Sequence, residues 1–176
     1  MKKIINSTLV ALAVIICSQS IAQVTTAGRP SLSLGAEVGI PAGDFNKTAK
    51  LGLGGSLKAL FPIFEGGALT LSGGYISFSG DQIGNTNLKH AATNLLPFKA
   101  GLRYNLSPGG VYLEPQLGYT SISYKGGASG TGGFTYAANL GVLMQAIDLS
   151  IRYEGLSREN LRLPYLGLRG AYNFRL

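Results

Sequence analysis

Histidine and cysteine, which commonly serve in catalysis and metal binding, are almost absent from this sequence. One cysteine, Cys17, and one histidine, His90, cannot form a disulfide framework or a Cys/His zinc site. His90 and Asp81 share one predicted loop with several hydroxyl groups, but no spacing there places a base beside a nucleophile. We therefore predict no catalytic residue, no metal site and no cofactor, and a lipid-modifying enzyme is kept as an alternative.

The other residues that could do chemistry are charged, and their positions follow a pattern. Charged residues make up 13% of the chain, and nine of them alternate with apolar residues in extended segments. Charges removed from water need partners, and these nine are nearly balanced. We predict that they form a salt-bridge network inside the protein, with an ion or proton pathway as the alternative. The nine residues are Glu37, Lys58, Lys99, Arg103, Glu114, Asp148, Arg152, Glu154 and Arg169.

The segments that carry these charges have the period of β-strands. Apolar and polar residues alternate in eight segments of about ten residues, with turn-forming clusters between them. One phase contains no charged residue, and the other contains ten. An even number of antiparallel strands closes without exposed edges, so we predict an all-β, closed eight-stranded antiparallel up-and-down barrel. The segments are 31–40, 51–61, 69–78, 96–106, 111–119, 134–142, 147–154 and 166–176.

Three features indicate that the apolar phase faces lipid and the charged phase faces the lumen. Nine glycines occupy the charged phase, where they make room for long neighbours in a narrow interior. The charges there are nearly self-compensating, and the connections alternate between long and short, as in outer-membrane barrels. The alternative is a soluble periplasmic ligand-binding barrel with the opposite facing. The long connections are 41–50, 79–94, 121–133 and 155–164, and the short ones are 62–67, 107–110 and 145–146.

Aromatic residues of the apolar phase cluster toward the two ends of the predicted strands. Amphipathic rings favour the two interfaces between a membrane and water. With the N-terminus in the periplasm, the outer belt is Tyr75, Phe98, Tyr119, Phe134, Tyr136 and Tyr153, and the inner belt is Phe61, Tyr104, Tyr172 and Phe174.

The N-terminal residues have the composition of an export signal. Lys2 and Lys3 precede an apolar stretch, and Ser20 and Ala22 supply small residues at the positions that a signal peptidase reads. We predict a signal peptide over residues 1–22, a short periplasmic segment over 23–30 and the barrel over 31–176. A lipoprotein signal with Cys17 as the lipidated residue is the alternative.

The basic character of the chain does not predict nucleic-acid binding. The formal net charge is +7, but the charges alternate along strands and form no single exposed patch. The glycine-rich segment 126–133 lacks the Gly-Lys-Ser/Thr that completes a phosphate-binding loop. The loop cations instead suit the anionic groups of lipopolysaccharide or a partner surface. These cations are Lys47, Lys50, Lys89, Lys125, Arg158 and Arg162.

Four stretches carry a family resemblance that covers nearly all of the chain after residue 22. Residues 35–45, 51–55, 69–75 and 97–104 resemble small outer-membrane β-barrel proteins of the OmpA/OmpX type, especially those of Bacteroidetes-like bacteria. The resemblance implies an integral, monomeric, non-enzymatic outer-membrane barrel with a structural or surface-interaction role, and a narrow channel for ions or small solutes as the alternative. The terminal alternation of Tyr172, Phe174 and Leu176 is similar to the signal read by the barrel-assembly machinery.

Two details fit the regular strand pattern less well. Pro115 lies inside the fifth segment, where its missing N–H removes a ladder hydrogen bond, so we expect a bulge or a local widening. Ile76 and Phe78 occupy the lumen phase at the end of the third segment, which makes that end apolar on both faces.

Overall fold

The described part of the chain is one closed sheet of eight antiparallel strands. The computed structural model describes residues 28–80, 92–124, 132–158 and 161–176. The strands are β1 (Ser31–Pro41), β2 (Ala49–Phe64), β3 (Gly67–Gly80), β4 (Thr93–Asn105), β5 (Val111–Tyr124), β6 (Gly132–Met144), β7 (Ile147–Arg158) and β8 (Leu161–Arg175). Each strand pairs with its neighbours in sequence, and β1 pairs with β8, which closes the barrel. The predicted up-and-down barrel is confirmed.

The two ends of the barrel differ in their connections. At the turn end, two residues separate β2 from β3 and two separate β6 from β7. Gly66 and Gln145 have φ of 78° and 55° in these turns, the left-handed backbone that tight hairpins use. At the loop end, a 3-10 helix (Gly43–Lys47) lies between β1 and β2, β3 ends at Gly80 before β4 begins at Thr93, and β5 ends at Tyr124 before β6 begins at Gly132. No helix within the four described segments is long and apolar enough to cross a membrane.

The connection between β7 and β8 is shorter than predicted. The expected long loop over 155–164 is wrong, because β7 continues to Arg158 and β8 begins at Leu161. The pairing of the two strands extends to these two residues. The sequence pattern misses the strand ends because Leu156 and Tyr165 are buried in the interior, so the phase that is polar elsewhere is apolar here.

Two prolines interrupt the strand pairing without shifting its register. β5 pairs continuously with β6 through Pro115, whereas its pairing with β4 skips two positions and then resumes in the same register. Of the two predicted outcomes at Pro115, a bulge does not form, whereas the ladder between β4 and β5 is interrupted locally, where Pro115 has no N–H to donate. Pro97 interrupts the pairing of β3 and β4 in the same way. The register shifts lie in β2 instead, one of them just after Pro62.

Burial alternates along the strands, and the apolar side chains lie on the outside. Leu34, Leu102 and Leu168 are 58%, 50% and 48% exposed, whereas Arg103 is only 4% exposed. Water-soluble proteins bury their large apolar side chains and expose their charges. The predicted facing is therefore confirmed, and the alternative of a soluble barrel with an apolar lumen is wrong.

Candidate functional site

Five of the nine predicted network residues form one buried group near the turn end. This turn-side cluster consists of Lys58, Arg103, Glu114, Asp148 and Arg169, each at most 4% exposed. Glu114 lies at its centre, with one carboxylate oxygen 2.8 Å from the Lys58 ammonium and the other 2.8 Å from the Arg103 guanidinium. Arg103 also donates a hydrogen bond of 3.0 Å to Asp148, and Arg169 lies 3.8 Å from the same carboxylate. Three basic and two acidic side chains are thus buried together in this cluster.

Neutral polar groups complete the coordination of the two carboxylates. Gln116 donates a hydrogen bond of 2.7 Å to Glu114, and the Tyr112 hydroxyl donates one of 2.5 Å to Asp148. The Arg103 guanidinium also stacks on the Tyr112 ring, 3.6 Å from its centroid. Tyr112 stands two residues before Glu114, in the charged phase of the sequence pattern, but it is not one of the nine predicted network residues. Its position in that phase was the available signal, because a buried tyrosine hydroxyl needs a hydrogen-bond partner.

The other four network residues form a second buried group, the loop-side cluster: Glu37, Lys99, Arg152 and Glu154. Arg152 donates two hydrogen bonds to the two oxygens of Glu37, at 3.2 and 2.8 Å, a bidentate geometry. The Arg152 Nε lies 2.8 Å from Glu154, which also accepts a hydrogen bond from the Lys99 ammonium. This cluster has two acids and two bases. Arg169, 3.6 Å from Glu37, connects it to the turn-side cluster.

Apolar side chains fill the interior at the loop end, beyond the loop-side cluster. Phe78 is fully buried there, with its ring centroid 5.0 Å from that of Phe45 and 5.2 Å from that of Tyr165. Phe45 comes from the 3-10 helix and thus reaches into the barrel from a connection. We call this group the apolar layer, and its members are Phe45, Ala49, Ile76, Phe78, Leu95, Ile122, Leu156, Leu163 and Tyr165.

Two glycines make room for the central ring of the apolar layer. A Cβ atom added at Gly39 or Gly52 would lie 2.7 or 2.6 Å from the Phe78 ring, closer than packed atoms allow. The sequence indicated part of the apolar layer, because Ile76 and Phe78 break the alternation of polar and apolar residues. It did not indicate Phe45, which lies within a predicted loop.

The aromatic residues assigned to the outer belt lie on the outside of the barrel near the loop end. Phe98, Tyr119 and Phe134 occupy directly paired positions on β4, β5 and β6, so they form a row across three strands. Tyr75, Tyr136 and Tyr153 are also exposed, and the exposed fractions of all six residues lie between 42% and 60%. Their interaction with a membrane interface stays a prediction.

The residues assigned to the inner belt lie near the turn end. Tyr104, Tyr172 and Phe174 are about half exposed, and the rings of the last two are 4.8 Å apart. Phe61 is more buried than the others. Sequence reasoning missed Phe64, whose ring lies 6.4 Å from that of Tyr104 on the outer surface.

The remaining candidates lie in connections or outside the described residues. Lys47 donates a hydrogen bond of 2.8 Å to Asp44 in the 3-10 helix, and this bond lowers the pKa of the Asp44 carboxyl and raises the pKa of the Lys47 ammonium. Asp81 and His90 lie outside the described residues, as do Lys89 and Lys125. Among the described residues, no three histidine, cysteine or acidic side chains are grouped so that they could hold a metal ion.

Comparisons with known proteins agree at the level of the fold. No protein-family model matches the sequence, and no curated protein matches it. Ail, the attachment invasion locus protein of Yersinia pestis, is 18% identical, and the match covers 85% of this chain and 100% of Ail with a TM-score of 0.55. Ail has also been solved in a phospholipid bilayer nanodisc and with the heparin analogue sucrose octasulfate.

Two further solved structures have the same architecture. Neisserial surface protein A is 12% identical, covering 84% of this chain and 97% of its own with a TM-score of 0.58. The N-terminal β-barrel domain of Pseudomonas aeruginosa OprF is 16% identical, and the match covers 84% of this chain and 99% of that domain with a TM-score of 0.56. Closure by eight antiparallel strands, an apolar outer surface and a charged interior together show that this chain has the fold of the small outer-membrane β-barrels of the OmpA/OmpX type.

Proposed function

We propose that this protein is an integral outer-membrane barrel with a closed interior, which anchors and displays its surface loops in a structural or surface-interaction role. The observation that carries the proposal is the inverted polarity of the barrel: Leu34, Leu102 and Leu168 are exposed, while Arg103 is buried. Exposed leucines on every side of a closed sheet are unfavourable in water and favourable against acyl chains. The similar fold of Ail, which has been solved in a bilayer nanodisc, supports the same location.

Packing of the interior supports a structural barrel over a channel. An eight-stranded barrel has an interior just wide enough for side chains to fill. The void among Glu37, Lys58, Lys99 and Arg152 has a volume of about 10 Å³, room for at most one water molecule. The apolar layer lies between this void and the loop end. In the proposal, the ion pairs are a structural network and do not conduct.

The loop end supplies the surface for interactions in this proposal. Lys47, Lys50 and Arg162 are exposed there, above the row of outer-belt aromatic residues. Rings at a membrane interface with cations beyond them suit lipopolysaccharide, whose phosphates are anionic. The complex of Ail with a sulfated sugar is a parallel case on a similar fold. We infer no partner among nucleic acids.

Biogenesis in this proposal follows from the two ends of the chain. Residues 1–22 are the cleaved signal peptide, and 23–30 form a short periplasmic segment before the barrel. The terminal Tyr172, Phe174 and Leu176 are all exposed, and we infer that the barrel-assembly machinery reads this strand. The closed pairing of β1 with β8 leaves no strand edge to a second copy, which favours a monomer.

Membrane fractionation and gel migration test the proposal together. Cells that express the protein are fractionated, and the outer membranes are washed with carbonate. The protein should stay in the washed membranes and should migrate faster on a gel before boiling than after it, because a closed barrel resists detergent. Release by carbonate, or migration that boiling does not change, contradicts the proposal. Large conductance steps in a planar bilayer would favour the channel instead.

A further inference from the structure

The small void in the interior lies between the turn-side cluster and the loop-side cluster. Lys58 of the first cluster and Lys99 of the second both line it, together with Ser72. These three residues occupy directly paired positions on β2, β3 and β4, with Ser72 in the middle. Gly74, two residues further along β3, also lines the void and adds no side chain to it. The void thus has a lysine on each side of a short hydroxyl side chain.

The two lysines retain hydrogen-bonding capacity toward the void. An ammonium group has three N–H donors. Among the described residues, Lys58 forms one ion pair, with Glu114 at 2.8 Å, and Lys99 forms one, with Glu154. Both lysine side chains keep some accessible surface, 4% and 3%, so a group inside the void that they line can contact them. No acid among the described residues bridges the two ammonium groups, and each has donors left for a ligand between them.

The charges around the void leave one positive charge in excess. Five bases and four acids are buried inside the described part of the barrel. Arg169, the base that connects the two clusters, donates a hydrogen bond of 2.9 Å to Ser56, which lines the void. Glu37 is the one acid in the wall of the void, and both of its oxygens accept hydrogen bonds from Arg152. A buried charge without a counter-charge is unfavourable, and one anion in the void would balance the interior.

The volume of the void limits the kind of anion. At about 10 Å³, the void holds one group of about the size of a water molecule. Carboxylates, phosphates and sulfate contain several heavy atoms and do not fit. A chloride ion is slightly larger than water, and the long, flexible side chains of Lys58 and Lys99 can move apart to admit it. A water molecule also fits, but it is neutral and leaves the excess charge in place.

We propose that this void binds one chloride ion. The Lys58 and Lys99 ammonium groups donate hydrogen bonds to the ion from opposite sides, and Ser72 forms the wall between them. The ion supplies the fifth negative charge of the interior and joins the two clusters into one network. Because the sheet is closed around the void, the ion binds as the barrel folds and is released when it unfolds.

Unfolding in different salts tests the site. The protein in phospholipid vesicles is unfolded and refolded in urea with the sodium salt of chloride, bromide or gluconate, at equal ionic strength. Gluconate is too large for the void. We expect the free energy of unfolding to be higher in chloride and bromide than in gluconate, and to rise with the logarithm of the halide concentration with a slope of one ion per chain. Equal stability in the three salts overturns the proposal.

Anomalous diffraction shows whether the void holds an ion or a water molecule. Crystals of the protein folded in bromide should give one strong anomalous peak between the ammonium groups of Lys58 and Lys99. Electron density there without an anomalous signal identifies a water molecule and overturns the proposal.

Two substitutions of the same size separate the charge of the ion from its volume. Ser72→Asp places a carboxylate in the void, and Ser72→Asn places a neutral amide of the same shape there. Both should abolish the halide dependence, and in gluconate Ser72→Asp should be the more stable variant, because it alone supplies the missing negative charge. Halide dependence retained in Ser72→Asn, or equal stability of the two variants in gluconate, overturns the proposal. Heat-modifiable migration reports the barrel separately, so this proposal and that of the outer-membrane location fail independently.

Discussion

Arg152 binds both carboxylate oxygens of Glu37, at 2.8 and 3.2 Å, across 115 positions of the sequence. The two residues lie on β7 and β1, which are not adjacent in the sheet, so β8 lies between them along the wall. Their contact therefore crosses the interior instead of following a ladder. The pair connects the beginning and the end of the chain inside the barrel.

Removing one partner of this pair should be costly. Glu37→Ala leaves the Arg152 charge buried with one acid fewer, and loss of one partner of a buried pair costs about 3–5 kcal/mol. The double variant Glu37→Leu with Arg152→Met should lose less stability than the two single changes add up to. Urea unfolding of the protein in lipid, followed by gel migration, measures the three free energies. Simple additivity contradicts the coupling.

The loss of stability caused by a new charge on the outer surface should depend on the depth of that position in the bilayer. Leu117 lies in the middle of β5 and is 58% exposed, while Leu176 is the last residue and is 71% exposed. Leu117→Arg should cost about 2–4 kcal/mol if this position lies at the bilayer midplane, and Leu176→Arg about 0–1 kcal/mol near the interface. Unfolding in bilayers measures both values. Equal costs at the two depths would argue against a membrane around the barrel.

Packing around Phe78 should make one glycine irreplaceable by alanine. A Cβ at Gly52 would lie 2.6 Å from the Phe78 ring, so Gly52→Ala should cost about 1–3 kcal/mol through overpacking. Gly55→Ala, on the same strand, is the matched control because its Cβ would meet its nearest atom at 3.4 Å. In a Phe78→Leu background, Gly52→Ala should cost less. An unchanged cost there would show that the ring is not the cause.

The interior should stay closed when part of the ion network is removed. Arg103→Ala takes one base from the turn-side cluster, but the apolar layer around Phe78 still fills the loop end. We expect the variant to be less stable than the wild type and to show no large conductance steps in a planar bilayer. Large steps from the wild type, or from Arg103→Ala in its folded form, would contradict a closed barrel.

The 3-10 helix provides a test by pH. The hydrogen bond from Lys47 lowers the pKa of Asp44 below its ordinary value of 3.8, so the pair stabilises the helix at neutral pH and is lost as the pH falls through the lowered pKa. Lys47→Met should return the pKa of Asp44 toward 3.8. Titration of the Asp44 carboxyl carbon by NMR measures the change. Arg175→Met, at the opposite end of the barrel, should leave the pKa of Asp44 as in the wild type.

The regular alternation of the strands allowed much of the fold to be predicted. Because side chains on a strand point alternately to opposite faces, Leu102 and Arg103 had to lie on opposite sides of the wall. The nine network residues could be predicted to be buried because they all lie in the charged phase of the strands. The alternation fails near Leu156 and Tyr165, since the interior is apolar there and both phases look alike. The pattern therefore predicts a loop where β7 continues to Arg158 and β8 begins at Leu161.

The alternation of polar and apolar residues did not predict which charged side chains pair with each other. Alternation says that Arg152 points inward, but whether it meets Glu37 or Asp148 depends on register and on how the strands tilt around the barrel. Phe45 lies in a connection, where no period applies, so its insertion into the apolar layer had no local signal. Pro115 shows a third case, in which the closed sheet kept its register despite a residue that favours a bulge.

The sequence by itself determined the strands, their number and the face that each residue takes, because these depend on a period of two that is local. The tertiary structure alone decided which charges pair and which rings fill the loop end. Those outcomes depend on contacts across the lumen between strands far apart in the chain, such as that of Arg152 with Glu37.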